Sequence, residues 1–126
     1  MTHLNDLQLT PHFYLSEFRC RHCGEVDELA AQRLASRLEL AREFAGPMTI
    51  VSGFRCPTHN AACGGKPNSQ HLLGLAADIL VTGDGHRYQL VKALLYSGFK
   101  RIGIGSSIVH ADIGNLPGYV IWTYYA

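Results

Sequence analysis

The sequence predicts an α+β fold in which a mainly antiparallel sheet is flanked by helices. One long amphipathic pattern spans residues 27–45 and is followed by Gly46-Pro47, a typical helix stop. Toward the C-terminus, short apolar segments follow one another across short turns, without the strict strand–helix alternation of a parallel sheet. A chain of 126 residues that is 47% hydrophobic can bury one core, so we expect a single domain over residues 1–126.

The N-terminal third is predicted to hold a lead-in, a loop and the longest helix. Residues 1–15 lack a regular period and are expected to be extended, and Ser16 is expected to cap a short helical turn over residues 16–18. The segment RCRHCGE is predicted to be a loop. In the helix that follows, Asp27 is the predicted N-cap, and the apolar stripe comprises Leu34, Leu38, Ala41 and Ala45.

The remaining chain is predicted to alternate between strands, one long loop and a second helix. RCPTHNAACGGKPNS is rich in Pro, Gly and Asn, so it is expected to be a loop with one helical turn near Thr58–Ala62. The C-terminal aromatic segment YVIWTYY is interpreted as a strand that covers the core. The predicted strands are 48–54, 75–81, 101–105, 108–113 and 119–124, and the second helix is 86–97.

Charge and hydropathy exclude two classes of partner. The formal net charge is +1 and no run of lysines or arginines is present, which argues against nucleic-acid binding through a basic surface. No apolar stretch approaches the ~18 residues that a membrane span needs. The first residues show no basic region followed by an apolar block, so we expect a protein made in the cytoplasm without an export signal of its own. We also expect a monomer.

Four cysteines leave three possibilities open. Cys20 and Cys23 form a CxxC pair, and Cys56 and Cys63 form a C-x6-C pair. They could hold a structural zinc ion, form one or two disulfides, or remain thiols. The second pair lacks the close spacing of a zinc knuckle, and without an export signal reduced thiols are expected.

The stretch SQHLLGLAAD, residues 69–78, and the later VHAD, residues 109–112, hold the best candidates for a functional site. Asp78 lies inside the apolar segment LAADILV, where a buried carboxylate is costly without a cation or several donors. His110 likewise interrupts the apolar run IVHADI. With His71 they make two nitrogen ligands and one oxygen ligand, a set that suits a divalent cation such as zinc with a fourth position open. Hydrogen-bonded structural roles for these residues are the alternative.

Three motifs together resemble a known family. SGFRCPTHN, SQHLLGLAAD and VHAD occur in the order and spacing of zinc D-alanyl-D-alanine carboxypeptidases and related murein peptidases, which share a fold with hedgehog signalling domains. The resemblance covers roughly residues 13 to 122. It implies the hedgehog/DD-peptidase fold and a Zn2+ cofactor, with His71, Asp78 and His110 as the zinc ligands.

The same resemblance implies two substrate-binding residues. Arg55 matches the family arginine that anchors a substrate carboxylate, and a guanidinium suits that task because it binds a carboxylate through two parallel hydrogen bonds. Ser69 matches a serine that hydrogen-bonds substrate near the metal. The alternatives are a surface arginine at a strand end and an ordinary turn serine. Gly74 is expected to allow a tight turn, so that Asp78 returns to the same metal as His71.

The general base departs from the family pattern. Several relatives carry Glu or Asp three residues before the last zinc histidine, where this chain has Ser107. Asp112 is the nearest acid and shares a strand face with His110, so it is the candidate catalytic residue for activating or orienting the attacking water. Its alternative role is to hold His110 in place. An arginine that relatives often carry shortly before the terminal tryptophan is also missing.

The resemblance therefore implies a zinc metallopeptidase that hydrolyses the peptide part of bacterial peptidoglycan. The activity could be that of a D-Ala-D-Ala carboxypeptidase or of an endopeptidase, cutting a DD or an LD bond. With no export signal visible, we expect a phage endolysin or virion component that reaches the cell wall by another route. The alternative is a non-catalytic, zinc-containing peptidoglycan-binding module, such as part of a phage tail, and the missing acid at Ser107 favours it.

Overall fold

The structure is a computed structural model and describes residues 6–124. Three α-helices are present in this range: α1 at Glu28–Ala45, α2 at Pro57–Ala62 and α3 at Asp84–Tyr96. Two 3-10 turns span Leu15–Phe18 and Gln70–Leu73. The strands are β1 (Gln8–Thr10), β2 (Phe13–Tyr14), β3 (Ile50–Ser52), β4 (Ala76–Leu80), β5 (Arg101–Ile104), β6 (Ile108–Asp112) and β7 (Val120–Thr123).

The strands form two sheets. A small antiparallel hairpin joins β1 and β2, and the larger sheet has the order β3-β4-β6-β5-β7. The pairings of β3 with β4, β4 with β6 and β6 with β5 are antiparallel, whereas β7 runs parallel to β5. The α+β prediction is confirmed, but the larger sheet is mixed rather than purely antiparallel. β6 ends beside the start of β5, and the chain crosses that end of β5 before β7 begins, so the last strand is parallel to β5.

Alternation along the central strands separates the core from the site. Ala77 and Ile79 on β4, and Val109 and Ala111 on β6, are fully buried and join a core cluster with side chains of α1 and α3. Successive side chains of a strand point to opposite faces, so the residues between them face away from this core. The polar side chains of Asp78, His110 and Asp112 therefore lie together on the other face of the sheet.

Helix α1 begins and ends where the sequence predicts. The Asp27 side chain accepts a hydrogen bond from the Ala30 backbone at 3.0 Å, and the helix ends at Gly46, whose φ is +81°.

The prediction that Ser16 caps a helical turn is wrong. Ser16 lies inside the 3-10 turn Leu15–Phe18, and its hydroxyl and backbone N–H both donate to the Asp6 carboxylate.

The last strand does not cover the core. β7 is an edge strand whose residues are mostly exposed, and Tyr119 just before it is 81% exposed. Its pairing with β5 places Trp122 opposite Gly103, on the face that carries His110. In the part of the chain that the structure describes, no helix combines the length and apolar character needed to cross a bilayer.

Candidate metal centre

Three potential ligand atoms converge on the polar face of the large sheet. Asp78 on β4 lies directly opposite His110 on β6, and His71 comes from the 3-10 turn that precedes β4. Asp78 Oδ1 is 3.2 Å from His71 Nε2 and 3.2 Å from His110 Nδ1. Ligands of tetrahedral zinc are held about 2.0–2.1 Å from the metal and hence about 3.3 Å from one another. The spacing found here fits such a site, and all three groups are buried.

Local backbone structure fixes the position of His71. The Ser69 hydroxyl accepts the His71 backbone N–H at 3.2 Å and so caps the 3-10 turn. The turn ends at Gly74, whose φ of +74° is a left-handed conformation that favours glycine. This bears out the expectation that Gly74 provides a tight turn between His71 and the strand of Asp78.

Hydrogen bonds on the far side of each imidazole set its tautomer. His71 Nδ1–H donates to the Gly53 carbonyl at 2.7 Å, and His110 Nε2–H donates to Asp112 Oδ2 at 2.7 Å. In neutral rings this leaves His71 Nε2 and His110 Nδ1 without protons, both facing Asp78 Oδ1. Three lone pairs pointing at one another repel unless a cation or a proton lies between them. The donor set is thus the one that a zinc ion needs.

The pKa values of Asp78 and His110 are shifted in the directions that favour their charged forms. Burial raises the pKa of Asp78, but hydrogen bonds and positive charge from His110 and His71 outweigh it and hold the pKa well below its usual range. Burial lowers the pKa of His110, but hydrogen bonds to Asp112 and Asp78 outweigh it and raise the pKa. A metal ion that binds here replaces the protons that otherwise satisfy the carboxylates.

Asp112 is buried behind His110 and is heavily hydrogen-bonded. Its Oδ2 accepts from His110, and its Oδ1 accepts from Arg101 Nε at 2.8 Å and from the Gly114 backbone at 3.1 Å. A carboxylate offers about four acceptor positions, so these three bonds leave one on Oδ2. Burial raises the pKa of Asp112, but the bonds to His110, Gly114 and Arg101 lower it further than burial raises it.

Arg101 is a site residue that the sequence motifs did not reveal. It lies at the start of β5, directly opposite Asp112 on β6, and its guanidinium stacks over the Trp122 ring at 5.2 Å. Arg101 therefore places a cation against Trp122, although the arginine that relatives often carry shortly before this tryptophan is absent from the chain. The signal that could have found it is the alternation in RIGI, which puts Arg101 and Gly103 on one face.

Arg55 is held beside Asp78 by three hydrogen bonds, one of which is to the Asp78 carboxylate. Its Nη2 donates to Asp78 Oδ2 at 2.8 Å, its Nε to Ser52 Oγ at 3.0 Å and its Nη1 to Asn60 Oδ1 at 3.4 Å. A guanidinium has five N–H groups, so these bonds leave one on each terminal nitrogen. Arg55 also lines the cleft, and the two remaining donors are available to a ligand there.

Aromatic side chains of the C-terminal segment form one wall of the site. The ring centroid of His110 is 5.2 Å from that of Trp122 and 6.4 Å from that of Tyr124. Both aromatic residues lie across Gly103, where a Cβ atom would come within 2.5 Å of Tyr124 and 2.7 Å of Trp122. The absence of a side chain at Gly103 lets this wall reach the histidine.

Replacing Gly103 with alanine is expected to displace the aromatic wall while leaving the core intact. The added methyl overpacks Trp122 and Tyr124, a change that costs about 1–3 kcal/mol. Trp122 is the only tryptophan in the chain, so its fluorescence emission reports the displacement. We expect a shifted emission spectrum for Gly103→Ala and an unchanged one for Gly85→Ala, where a Cβ meets no atom within 4 Å. Identical spectra for Gly103→Ala and the wild type would contradict this packing.

The centre opens into a cleft of about 790 Å³. His71, Asp78, His110, Asp112, Arg55 and Ser69 all line it, so the structure brings together the whole set of site residues predicted from the sequence. Arg101 and Lys66 also line the cleft. Three basic side chains thus face two carboxylates, and the positive excess favours a ligand with a free carboxylate.

A protein-family model matches most of the chain. The model for Peptidase M15 matches residues 11–113, a range that contains the proposed ligands as well as Asp112 and Arg55. No curated protein sequence matches the chain. Since the match covers most of the chain, and M15 enzymes depend on zinc, the chain belongs to the peptidase M15 family of zinc D-alanyl-D-alanine carboxypeptidases.

Proposed function

We propose that this protein hydrolyses an amide bond in the peptide part of bacterial peptidoglycan, as a D-Ala-D-Ala carboxypeptidase or an endopeptidase. The observation that carries the proposal is the convergence of His71 Nε2, Asp78 Oδ1 and His110 Nδ1 in a cleft with excess positive charge. These three side chains are the proposed zinc ligands. Zinc bound there supplies a Lewis acid for the scissile carbonyl and an acidified water for the attack.

Arg55 and Ser69 are proposed to bind the substrate. The two free N–H groups of Arg55 lie on its terminal nitrogens, and together they can bind both oxygens of a carboxylate. Its bonds to Ser52, Asn60 and Asp78 fix the guanidinium before substrate arrives, which lowers the entropic cost of binding. The Ser69 hydroxyl accepts the His71 N–H, so its own proton is free to be donated to a substrate oxygen.

Asp112 is the proposed catalytic acid–base residue. It and Asp78 are the carboxylates that line the cleft among the described residues, and Asp78 is committed to the metal. The remaining acceptor position on Asp112 Oδ2 can take the proton of the attacking water. Its bond to His110 supports a second action, because it keeps the Nδ1 atom of that ring directed at the metal.

Release of amino groups from purified peptidoglycan tests the function. We expect release by the zinc-loaded protein, its loss after chelation and its return on adding zinc. Mass spectrometry of the products then identifies the bond that is cut. The same protein added to permeabilised bacteria would lower the turbidity if it acts as a phage-type lysin, as expected from a sequence in which no export signal is visible. Absence of chelator-sensitive release from a stoichiometrically loaded protein would overturn the peptidase proposal.

Substitution of Arg55 by lysine is expected to reduce the preference for a free carboxylate. Lysine keeps the charge but loses the paired donors, and a charge-assisted hydrogen bond contributes about 1.5–3 kcal/mol, or roughly 10- to 150-fold. The measurement is kcat/KM for a peptide with a C-terminal carboxylate divided by that for its C-terminal amide. This ratio is expected to fall in Arg55→Lys and to stay constant in Arg37→Lys, which lies outside the cleft. An unchanged ratio in Arg55→Lys would remove the assigned role.

A zinc-containing module that binds peptidoglycan without cutting it is the second candidate. The observation that favours it is Ser107, which occupies the position of an acid in several relatives and lies in the exposed turn before β6. Co-sedimentation with peptidoglycan distinguishes the two functions. Sedimentation that depends on Arg55, with no released amino groups, would support the binding module.

A further inference from the structure

Three cysteines from separate parts of the chain lie close together. Cys20 and Cys23 lie in the loop before α1, and Cys56 is the N-cap residue of α2. Their sulfur atoms all lie within 4.8 Å of one another, and none of them forms a disulfide. Cys63 is not part of this cluster and instead has its sulfur 3.6 Å from His59 Nε2. The structure thus joins the CxxC pair to Cys56 alone, which the C-x6-C spacing does not suggest.

The local backbone resembles a pre-formed thiolate site. The Gly24 N–H donates to the Cys20 carbonyl at 2.9 Å and closes a tight turn around the CxxC pair. The Cys56 N–H donates to the Cys20 sulfur at 3.4 Å, and the His59 N–H donates to the Cys56 sulfur at 3.4 Å. Backbone donors directed at sulfur stabilise the thiolate, which is the form that binds metals.

We propose that Cys20, Cys23 and Cys56 bind a second, structural zinc ion, distinct from the ion of the candidate metal centre. In tetrahedral zinc sites the Zn–S distance of about 2.3 Å places sulfurs about 3.8 Å apart, which is compatible with the cluster. Two histidines next to Cys56, His22 and His59, are the candidates for the fourth ligand. His22 Nδ1 is 3.5 Å from the Cys56 sulfur, and the His22 and His59 rings stack beside it with centroids 6.3 Å apart.

The position of this cluster indicates which part of the site the second ion would stabilise. Cys56 follows Arg55, whose backbone N–H donates to the His71 carbonyl at 3.0 Å. The Gly53 carbonyl accepts a hydrogen bond from His71 Nδ1–H, and the Phe54 backbone N–H donates to the Phe18 carbonyl. A metal on Cys56 ties this segment to the Cys20 loop, so it positions both the substrate-binding arginine and one zinc-ligating histidine.

Metal content of reduced protein separates the two sites. We expect two zinc ions per chain in the wild type, one in His71→Ala, one in Cys23→Ser and two in Cys63→Ser. Cys63 is the matched control because it is the cysteine outside the cluster. Comparison of His22→Ala with His59→Ala identifies the fourth ligand, because the variant that lacks this ligand binds the second ion more weakly.

Cobalt substitution gives a readout that does not depend on activity. The candidate metal centre has no sulfur among its three proposed ligands, so a thiolate-to-cobalt charge-transfer band in the near ultraviolet that persists in Cys63→Ser comes from the cysteine cluster. We expect this band in cobalt-loaded wild type and His71→Ala, and its absence in Cys23→Ser. Removing the ion from His71→Ala with a thiol-modifying reagent is expected to lower the Tm by about 10 °C.

Two results would overturn the second site. One is a His71→Ala protein that binds no zinc and gives no charge-transfer band. The other is a native mass lower by two hydrogens, which would show that two of the three cysteines form a disulfide. Both results are independent of the peptidase proposal, since a chain without hydrolytic activity would still bind zinc through the cluster.

Discussion

Replacing His71 with alanine is expected to abolish zinc binding at the candidate metal centre and to reduce amide hydrolysis by at least about a thousandfold. Zinc stabilises the charge of the transition state by several kcal/mol, and each ~1.4 kcal/mol is worth a factor of ten in rate. His71 is almost fully buried and its Nδ1–H is committed to Gly53, so no other side chain can take its place.

The measurements are zinc titration and peptidoglycan hydrolysis. Trp122 lies next to His110, and its fluorescence is expected to respond to zinc in the wild type. In His71→Ala that response should disappear at zinc concentrations that saturate the wild type. His86→Ala is the matched control, since His86 lies at the start of α3, outside the cleft, and its variant should bind zinc and hydrolyse substrate normally. Hydrolysis by His71→Ala at the wild-type rate would rule out the proposed centre.

Much of this site follows from strand alternation in the sequence. Asp78 and His110 interrupt otherwise apolar segments, and period-two alternation places each of them opposite the core-facing residues. What alternation does not supply is register. The direct pairing of Asp78 with His110, and of Arg101 with Asp112, depends on how β4, β5 and β6 align, and local sequence does not determine that alignment.

Other features escape the sequence because they depend on long-range packing. β7 is parallel to β5 because the chain crosses the start of β5 after β6, and the composition of the segment alone does not show that it forms an exposed edge strand. The cluster of Cys20, Cys23 and Cys56 likewise requires α2 to begin beside the first loop. Neither arrangement has a local signature, whereas the caps of α1 at Asp27 and Gly46 do and were predicted correctly.

Replacing Asp112 with asparagine is expected to reduce turnover by about 100-fold or more even when zinc is saturating. Asparagine is nearly isosteric, but its amide cannot accept the proton of the attacking water, and general-base catalysis contributes roughly 10²–10⁴-fold. It also weakens the bond to His110 Nε2–H and removes the ion pair with Arg101. Loss of such a partner of a zinc ligand lowers metal affinity by about 10–100-fold.

Separate measurement of zinc affinity and of turnover distinguishes the two actions of Asp112. If the residue accepts the proton, turnover stays low at every zinc concentration in Asp112→Asn. If it only holds His110, activity returns once enough zinc is added to refill the site, and the catalytic assignment is lost. Asp84→Asn provides the matched control, because Asp84 is a fully exposed carboxylate paired with Arg87 outside the cleft. Equal zinc affinity in Asp112→Asn and the wild type would contradict the positioning role instead, since the Asp112–His110 bond is what directs Nδ1 toward the metal.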